Sequence, residues 1–294
     1  MDELKLVWWN TALSPAASTE PSEDEYAFVC RTIEYFIKDQ CADFIALCEI
    51  NDDAYDYICS VCKFDGYRFV SGVNKVGQTN FDLMYIINVS KVDDFAFENV
   101  VYVKNNRTKK IAQKIAIKVC GFEVPLVIFA SHWPSKIRGG ENGNDRYEYA
   151  MNLQVEAHDV FKNSKDGTPY VILMGDYNDD PFSACIFDGL MATRDRELVL
   201  KRDELLYNPY WRIMSDLPHY ERVMGSYYYK SGALTRWHVF DQVIFSKAFL
   251  QNGDWIYCDG STLIMDIPAM TDVVLSSKHK FDHMPLSVRI KRDM

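Results

Sequence analysis

The hydrophobic positions fall into short apolar runs, and polar residues follow the end of most of them. Runs over 4–9 and 43–50 predict strands. Runs over 126–129 and 171–174 are apolar on both faces, which is typical of strands inside a sheet. Other apolar runs predict strands over 67–73, 81–89, 111–119, 239–246 and 286–290.

Three stretches repeat their apolar residues every three or four positions, which predicts amphipathic helices. The first helix follows Ser22, because Ser22 and Glu25 form a capping box. Its apolar stripe consists of Tyr26, Val29, Ile33, Phe36 and Ile37. A second helix is predicted over 52–62 and a third over 145–161. One face of the third helix carries Tyr147, Met151, Val155, His158 and Phe161.

Helices alternate with strands early in the chain, and pairs of strands dominate the middle. This order predicts an α/β fold with mixed sheets. The chain of 294 residues is long enough for one large domain or two modest ones. No repeat, low-complexity tract or linker divides it, so we expect a single domain over residues 1–294.

Charge and cysteine content limit the possible partners and compartment. The formal net charge of −10 argues against broad, charge-driven binding to nucleic acid or to an acidic membrane. The N-terminus does not resemble a signal peptide, and no apolar run approaches the roughly 20 residues of a membrane span. Most of the eight cysteines lie in apolar runs, so we expect buried thiols and a cytoplasmic location.

Candidate chemistry is concentrated where predicted strands end. The run 171–174 leads into Gly175, Asp176 and Asn178, and an extended exit would point the last two side chains the same way. Pro181 suits the first turn of a helix after this loop. Open α/β sheets bind ligands at such strand ends. Polar residues occupy six such places along the chain: Asn10, Glu49, His132, Asp176 with Asn178, Asp241, and Asp282 with His283.

These positions form a series of short motifs that resembles the endonuclease/exonuclease/phosphatase superfamily, whose fold is DNase I-like. The series runs from residue 9 to residue 286: Trp9-Asn10, Leu47-Cys48-Glu49, Ser131-His132-Trp133, Gly175-Asp176-Tyr177-Asn178, Phe240-Asp241-Gln242-Val243 and Phe281-Asp282-His283-Met284-Pro285. The resemblance implies a four-layer sandwich in which two mixed β-sheets are flanked by helices. It also implies that Asn10, Glu49 and Asp282 surround a Mg²⁺ ion, for which Mn²⁺ could substitute.

The resemblance assigns catalytic roles to five further residues. It implies that Asp176 and Asn178 orient the attacking water or the phosphate and that His132 contacts the phosphate. It makes His283 the acid–base or phosphate-polarising histidine, with Asp241 holding its ring. The residue types suit this chemistry, because an aspartate inside a strand such as Asp241 is costly unless it is paired. A histidine beside a carboxylate can also carry positive charge.

The chain departs from several subgroups of the superfamily. Ala12 stands where several DNA-processing members carry an aspartate. The inositol polyphosphate 5-phosphatase signatures are absent, since no arginine follows Asn178 and no cysteine precedes Asp241. The sequence also lacks the long apolar hairpin that a membrane-docking sphingomyelinase needs.

Substrate contacts are expected from loops. Segment 192–238 has eight Lys or Arg against six acids, a surplus of two positive charges, and is rich in aromatics. Aromatic and basic residues together suit stacked bases and phosphates. We therefore expect Tyr228 and Trp237, and Lys136 and Arg138 of the glycine-rich loop, to bind substrate. A folded aromatic flap is the alternative for the segment.

Three functions are compatible with this pattern. The first is a Mg²⁺-dependent phosphoesterase that hydrolyses phosphodiester bonds by in-line attack of water, as a nuclease or a small-molecule phosphodiesterase. Its partner is a phosphate-ester substrate, with nucleic acid as one candidate. The second is a phosphomonoesterase or lipid-headgroup phosphodiesterase on the same fold. The third is a binding module that keeps the fold without catalysis. The sequence sets no oligomeric state.

Overall fold

The computed structural model describes residues 3–14, 20–122, 124–135, 144–164, 169–215 and 222–292. The strands, in chain order, are β1 Glu3–Asn10, β2 Phe44–Cys48, β3 Tyr67–Ser71, β4 Asn74–Val76, β5 Thr79–Phe81, β6 Leu83–Asn88, β7 Val92–Lys104, β8 Arg107–Val119, β9 Leu126–His132, β10 Val171–Asp176, β11 Ala192–Thr193, β12 Leu206–Tyr207, β13 Tyr227–Tyr228, β14 Trp237–His238, β15 Asp241–Phe245, β16 Trp255–Tyr257, β17 Leu263–Ile264 and β18 Leu286–Arg292.

The α-helices are α1 Glu23–Lys38, α2 Asp52–Val61, α3 Asn144–Asn163, α4 Arg196–Lys201, α5 Tyr210–Ile213 and α6 Pro268–Leu275. A π-helical turn spans Cys185–Gly189 and a 3₁₀ turn spans Lys247–Leu250. The predicted capping box at Ser22 is confirmed. The Ser22 side chain accepts a hydrogen bond from the backbone N–H of Glu25, and the Glu25 side chain accepts one from the backbone N–H of Ser22. Among the described residues, no helix has the length and hydropathy to cross a membrane.

Two large mixed sheets dominate the fold. The first has the order β16-β18-β1-β2-β6-β3, with β17 also paired to β18, and the second has the order β11-β12-β15-β10-β9-β8-β7. The pair β1/β2 is parallel in the first sheet, and β9/β10 is parallel in the second. Their other neighbours in the sheet run antiparallel to these strands.

The sheets pack face to face around one hydrophobic cluster that both contribute to, through residues such as Trp8 and Tyr85 of the first and Ile128, Met174 and Phe245 of the second. On the outer face of the first sheet, α1, α2 and α6 cover a second cluster. On the outer face of the second sheet, α3 and the π-helical turn cover a third. The predicted four-layer α/β sandwich is therefore confirmed.

Strand direction brings the polar strand ends to one edge of the sandwich. In the second sheet His132 and Asp241 are the register partners of Asp176. In the first sheet Asn10, at the end of β1, pairs with Cys48 at the end of β2. Because β15 and β18 run antiparallel to their neighbours, they begin at the edge where the parallel strands end.

The long strand β7 was not expected from the sequence. It pairs with β8 over most of its length, but the register shifts after Val92 and again after Val100. The first shift leaves Asp93 of β7 without a register partner and so breaks the alternation of side chains in β7, whereas the second leaves Ile111 of β8 without one. The helix expected at Pro181 is also absent, because residues 181–182 form a turn and the helical turn begins only at Cys185.

The predicted apolar face of α3 was wrong in part. Tyr147 and Phe161 pack against the third cluster as expected, but Met151 and Val155 are about half exposed, and Ala150, Leu153 and Ala157 are buried instead. The two alanines allow the helix to approach the sheet closely, and their small side chains did not mark this face in the sequence.

Two substitutions in α3 test this face. We expect Leu153→Ala to lower the free energy of unfolding by about 2–5 kcal/mol, because it leaves a cavity in the cluster. Val155→Ala is the matched control and should change it by less than about 0.5 kcal/mol. Urea unfolding followed by circular dichroism gives both values. Equal losses for the two variants would contradict the observed face.

Candidate active site

The eight residues predicted to be catalytic or metal-binding converge at one edge of the sandwich. Asn10 links the two sheets there, since its Nδ2 donates to Asp176 Oδ2 at 3.1 Å and lies 3.3 Å from Glu49 Oε1. His283 Nε2 is 3.7 Å from the same Asp176 oxygen and 3.9 Å from Asp282 Oδ1. Side chains separated by more than 270 positions in the chain thus share one pocket.

His283 and Asp241 form a buried pair. His283 Nδ1 lies 2.7 Å from Asp241 Oδ2, as predicted, and the other oxygen, Oδ1, accepts from Trp8 Nε1 at 2.8 Å. Burial alone would lower the pKa of His283, but the carboxylates of Asp241 and Asp176 outweigh it and raise the pKa well above its usual range. With Nδ1 bound to Asp241, Nε2 is the nitrogen left to act in the pocket.

Asp176 ends β10 with its carboxylate in the pocket. Gly175 makes this position possible, because a Cβ there would lie 2.2 Å from the backbone oxygen of Ser131 on β9. Burial, together with the nearby Asp241 carboxylate, raises the pKa of Asp176. A carboxylate with a raised pKa is a better proton acceptor than an ordinary one.

Asn178 does not lie on the extended exit expected from the sequence. Its φ is 53°, in the left-handed region that asparagine tolerates. Its backbone N–H donates to Asp176 Oδ1 and its Nδ2 donates to the Trp133 carbonyl, both at 2.9 Å. The turn therefore fixes Asp176 and leaves the Asn178 side-chain oxygen as its acceptor group.

Glu49 is the best candidate ligand for a divalent cation. It follows β2 in a left-handed conformation, φ 58°, which turns its carboxylate toward Asn10 and away from the strand direction. Its Oε2 is buried, and no described residue bonds to it. Burial raises the pKa of the neighbouring Asp282 to about 6, and the negative charge of Glu49 adds to the shift. A buried carboxylate oxygen without a protein donor fits a hard cation such as Mg²⁺, whereas Asn10 Oδ1 accepts from the Ala12 N–H at 3.0 Å.

A second acidic group also has metal-ligand spacing. Ligand atoms of Asp176, Asp241 and His283 all lie within 4.8 Å of one another. Both oxygens of Asp241 already accept hydrogen bonds, from Trp8 and from the His283 ring. This group is therefore better explained as a histidine–carboxylate pair beside Asp176 than as a cation site.

His132 has a partner that the sequence did not reveal. Its Nδ1 lies 2.7 Å from Asp82 Oδ2, and Lys110 Nζ donates to Asp82 Oδ1 at 2.5 Å. Burial alone would raise the pKa of Asp82, but His132 and Lys110 outweigh it and lower that pKa. The pKa of His132 is raised in turn, since Asp82 outweighs the opposing effect of burial. The only signal in the sequence was an acid between Phe81 and Leu83, just before a strand.

Comparison with protein families identifies the chain. The model described as "Endonuclease/Exonuclease/phosphatase family" matches residues 17–273. The chain belongs to the endonuclease/exonuclease/phosphatase family. This family consists of phosphate-ester hydrolases, and the protein is such an enzyme. The match includes Glu49, His132, Asp176 and Asp241, while Asn10 and the Asp282-His283 pair lie outside it and are placed by the structure.

Solved structures of this fold cover nearly the whole chain at low identity. The human Nocturnin catalytic domain with bound sulfate is 15% identical over 99% of this chain and 95% of its own, with a TM-score of 0.61. TDP2 from D. rerio, complexed with a single-strand DNA product, is 14% identical over 98% of each chain, with a TM-score of 0.60. ANGEL2, a 2′,3′-cyclic phosphatase, is 13% identical over 99% and 96%, with a TM-score of 0.63. Curated protein sequences give no significant match.

Of the four residues expected to bind substrate, the structure describes Tyr228 and Trp237. Lys136 and Arg138 lie outside the described residues. Tyr228 is buried in the second hydrophobic cluster, on the outer face of the first sheet. Its hydroxyl accepts a hydrogen bond from Arg236 Nη1 at 3.0 Å, and its ring packs on Trp237. The neighbouring Tyr227 instead contacts His283, with ring centroids 4.8 Å apart. Aromatic contact with the pocket thus comes from Tyr227, which the sequence did not single out.

Asp82 can be tested through its effect on His132. We expect Asp82→Asn to lower kcat by about ten- to a hundredfold, because residues that orient active-site ligands typically have effects of this size. The pKa of His132 should also fall, since burial then acts without the opposing carboxylate. Steady-state kinetics and NMR titration of the ring give both values, with the exposed Asp254→Asn as control. An unchanged His132 titration would contradict the pairing.

Proposed function

We propose that the protein hydrolyses phosphodiesters by in-line attack of water, with the help of a divalent cation. The observation that carries the proposal is the arrangement around Asn10. The His283–Asp241 pair and Asp176 lie on one side, and Glu49 and His132 lie on the other. Such an arrangement supplies a proton acceptor, two histidines with raised pKa values and a set of oxygen ligands within one pocket.

Each of the motif residues around the pocket has its own role in this reaction. Asp176 accepts the proton of the attacking water, because its raised pKa makes it a stronger base than a solvated aspartate. His283 and His132 each have Nδ1 bound to a carboxylate and a raised pKa, and in the protonated form of each ring the Nε2–H can donate to a phosphoryl oxygen. Asn178 keeps the carboxylate of Asp176 in position.

A divalent cation held by Glu49, Asn10 and Asp282 would neutralise the charge that develops on the phosphoryl group. The buried, unpartnered oxygen of Glu49 supports this ligand set. Mg²⁺ is the expected ion, and Mn²⁺ accepts the same oxygen ligands.

The groove beside the pocket favours a diester over a monoester. It lies on the Glu49 and His132 side and can accept one substituent of a phosphodiester. On the His283 side the rings of Tyr227, His238 and Phe240 pack together, with Tyr227 and Phe240 stacked at 4.9 Å. Among the relatives, the complex of TDP2 with a DNA product supports a diester substrate by analogy.

A substrate panel tests the proposal. The protein is incubated with bis-p-nitrophenyl phosphate, the monoester p-nitrophenyl phosphate, single- and double-stranded DNA and RNA, in Mg²⁺ or Mn²⁺ and again with EDTA. We expect turnover that EDTA abolishes and that Asp176→Asn lowers by at least about a hundredfold, the size of one essential electrostatic contact. Release of phosphate from monoesters alone would favour the phosphomonoesterase. No EDTA-sensitive turnover of any ester would contradict the proposal.

Cation binding should depend on pH through Asp282. The pKa of about 6 means that this carboxyl is protonated at pH 5 and must lose its proton before it can ligate a cation. We expect the half-saturating Mg²⁺ concentration to rise below pH 6, toward about tenfold per pH unit. Asp282→Asn should remove this dependence. Cation titrations of bis-p-nitrophenyl phosphate hydrolysis between pH 5 and 8 measure it, and a flat profile would exclude Asp282 as a ligand.

A further inference from the structure

A groove of about 770 Å³ opens beside the active site and shares Glu49, Asp82 and His132 with it. One wall is the hairpin β4–β5, which contributes Lys75 and Asn80. We call this space the hairpin groove. Its volume is within the range of 300–1,000 Å³ typical of small-ligand sites. It is far larger than a phosphate needs, so it can accept an organic substituent of the ester.

The lining of the hairpin groove is rich in amides and hydroxyls. The exposed side chains of Asn51, Gln78 and Asn80 each offer both donors and acceptors. The aromatic residues among the described lining are Phe81 and Trp133, which are 1% and 0% exposed. They belong to the hydrophobic core and present no face on which a base could stack.

The hairpin is held in place by contacts at both ends. At its base, Asn99 Nδ2 donates to Asn74 Oδ1 at 2.8 Å, and Gln113 Nε2 donates to the Gly72 carbonyl at 2.7 Å. At its tip, Gly77 has φ +59° and packs so closely on Thr108 that a Cβ would lie 2.5 Å from its hydroxyl. The groove wall is therefore preorganised, which lowers the entropic cost of binding.

Charge in the hairpin groove does not suit a nucleic-acid strand. Its described lining has three acids, Glu49, Asp52 and Asp82, which at least balance the two lysines, Lys75 and Lys110, and His132 with its raised pKa. Lys110 is also bound to Asp82. Grooves that follow a nucleic-acid backbone are positively charged and offer aromatic stacking surfaces. The hairpin groove has neither property.

We propose that the hairpin groove binds an uncharged, hydroxyl-rich substituent of the phosphate ester, a sugar or polyol, next to the scissile phosphate. The inference rests on the proposed phosphodiesterase activity and specifies its substrate class. Hydroxyl groups match the amide donors and acceptors of Gln78 and Asn80, whereas a nucleobase gains no stacking there. Lys75, the register partner of Asn80, adds a donor on the same face of the hairpin.

Three diesters with the same p-nitrophenolate leaving group test the inference. Their second substituent is methyl, thymidine linked at its 5′ oxygen, or methyl glucoside linked at its 6 oxygen. We expect kcat/KM for the glucoside diester to exceed that for the methyl diester by at least about tenfold, the effect of two ordinary hydrogen bonds. The double variant Gln78→Ala/Asn80→Ala should lose most of this advantage and leave hydrolysis of the methyl diester unchanged. Asn252→Ala, at the opposite edge of the sandwich, is the matched control.

Each outcome separates the inference from the proposed function. Hydrolysis of the methyl diester with no gain for the glucoside diester would overturn the inference and leave the phosphodiesterase proposal intact. A gain for the thymidine diester alone would overturn it in favour of a nucleotide substrate. A glucoside advantage that survives in the double variant would place the sugar elsewhere and also overturn it. No turnover of any of the three would overturn the proposed function, and the inference with it.

Discussion

His283→Ala should lower kcat for bis-p-nitrophenyl phosphate by about a thousandfold, and Asp241→Ala should have an effect of similar size, since each removes an electrostatic contact made in the pocket. The double variant should be little worse than either single variant. Asp241 raises the pKa of His283 and accepts its Nδ1–H, so without the ring the carboxylate has nothing to orient. Residues that act as one unit show such non-additivity.

Steady-state kinetics of the four proteins, wild type included, measure this coupling. Asp241 is fully buried and also accepts a hydrogen bond from Trp8 Nε1. Its replacement by alanine therefore disturbs the hydrophobic core as well. Asp241→Asn serves as a milder variant that keeps the side-chain shape. Thermal unfolding shows whether each variant folds. Losses that multiply in the double variant would contradict a functional pair.

Glu49→Gln should weaken cation binding strongly, with little effect on the stability of the folded protein in EDTA. Gln keeps the shape of the side chain, and the buried Oε2 of Glu49 makes no bond to any described residue that the substitution would break. We expect the cation concentration for half-maximal activity to rise by about a hundredfold. Substitution of residues that only orient metal ligands already lowers metal affinity by about ten- to a hundredfold. The melting temperature in EDTA should stay the same or rise, because a buried negative charge is removed.

Thermal unfolding with and without Mg²⁺ or Mn²⁺ distinguishes an effect on cation binding from an effect on stability. Cations should raise the melting temperature of the wild type and not that of the variant. Glu98→Gln is the control, since Glu98 is exposed on β7 and far from the pocket in the strand order. A collapse of the melting temperature with unchanged cation affinity would show that Glu49 is structural.

The sequence predicted the strands whose ends carry the pocket residues for a physical reason. Strand ends are local features, because an apolar run that stops at a polar residue is visible within a few positions. The ends of β1, β2, β9 and β10 were all found in this way. These strand ends converge because of the directions in which the strands run. The sequence pattern alone does not give strand direction, and the expectation of convergence came from the family resemblance.

Features that depend on tertiary packing were less predictable. Asp82 was missed because its role arises from contact with His132, fifty positions away, and not from a local pattern. The face of α3 was partly misassigned because small residues pack against the sheet, while larger apolar residues remain partly exposed. The side-chain direction of Asn178 was predicted wrongly because the residue has a left-handed backbone conformation. An extended backbone would have pointed its side chain the same way as that of Asp176.

The location of the cation tests the central claim most directly, because the Glu49 group and the Asp176, Asp241 and His283 group are the two candidate ligand sets. A crystal soaked in Mn²⁺ and measured at a wavelength where manganese scatters anomalously locates the ion. We predict one peak within coordination distance of the Glu49 carboxylate, with Asn10 and Asp282 in its immediate surroundings. A peak held by Asp241 and His283 instead, or none in the pocket at saturating Mn²⁺, would contradict the account.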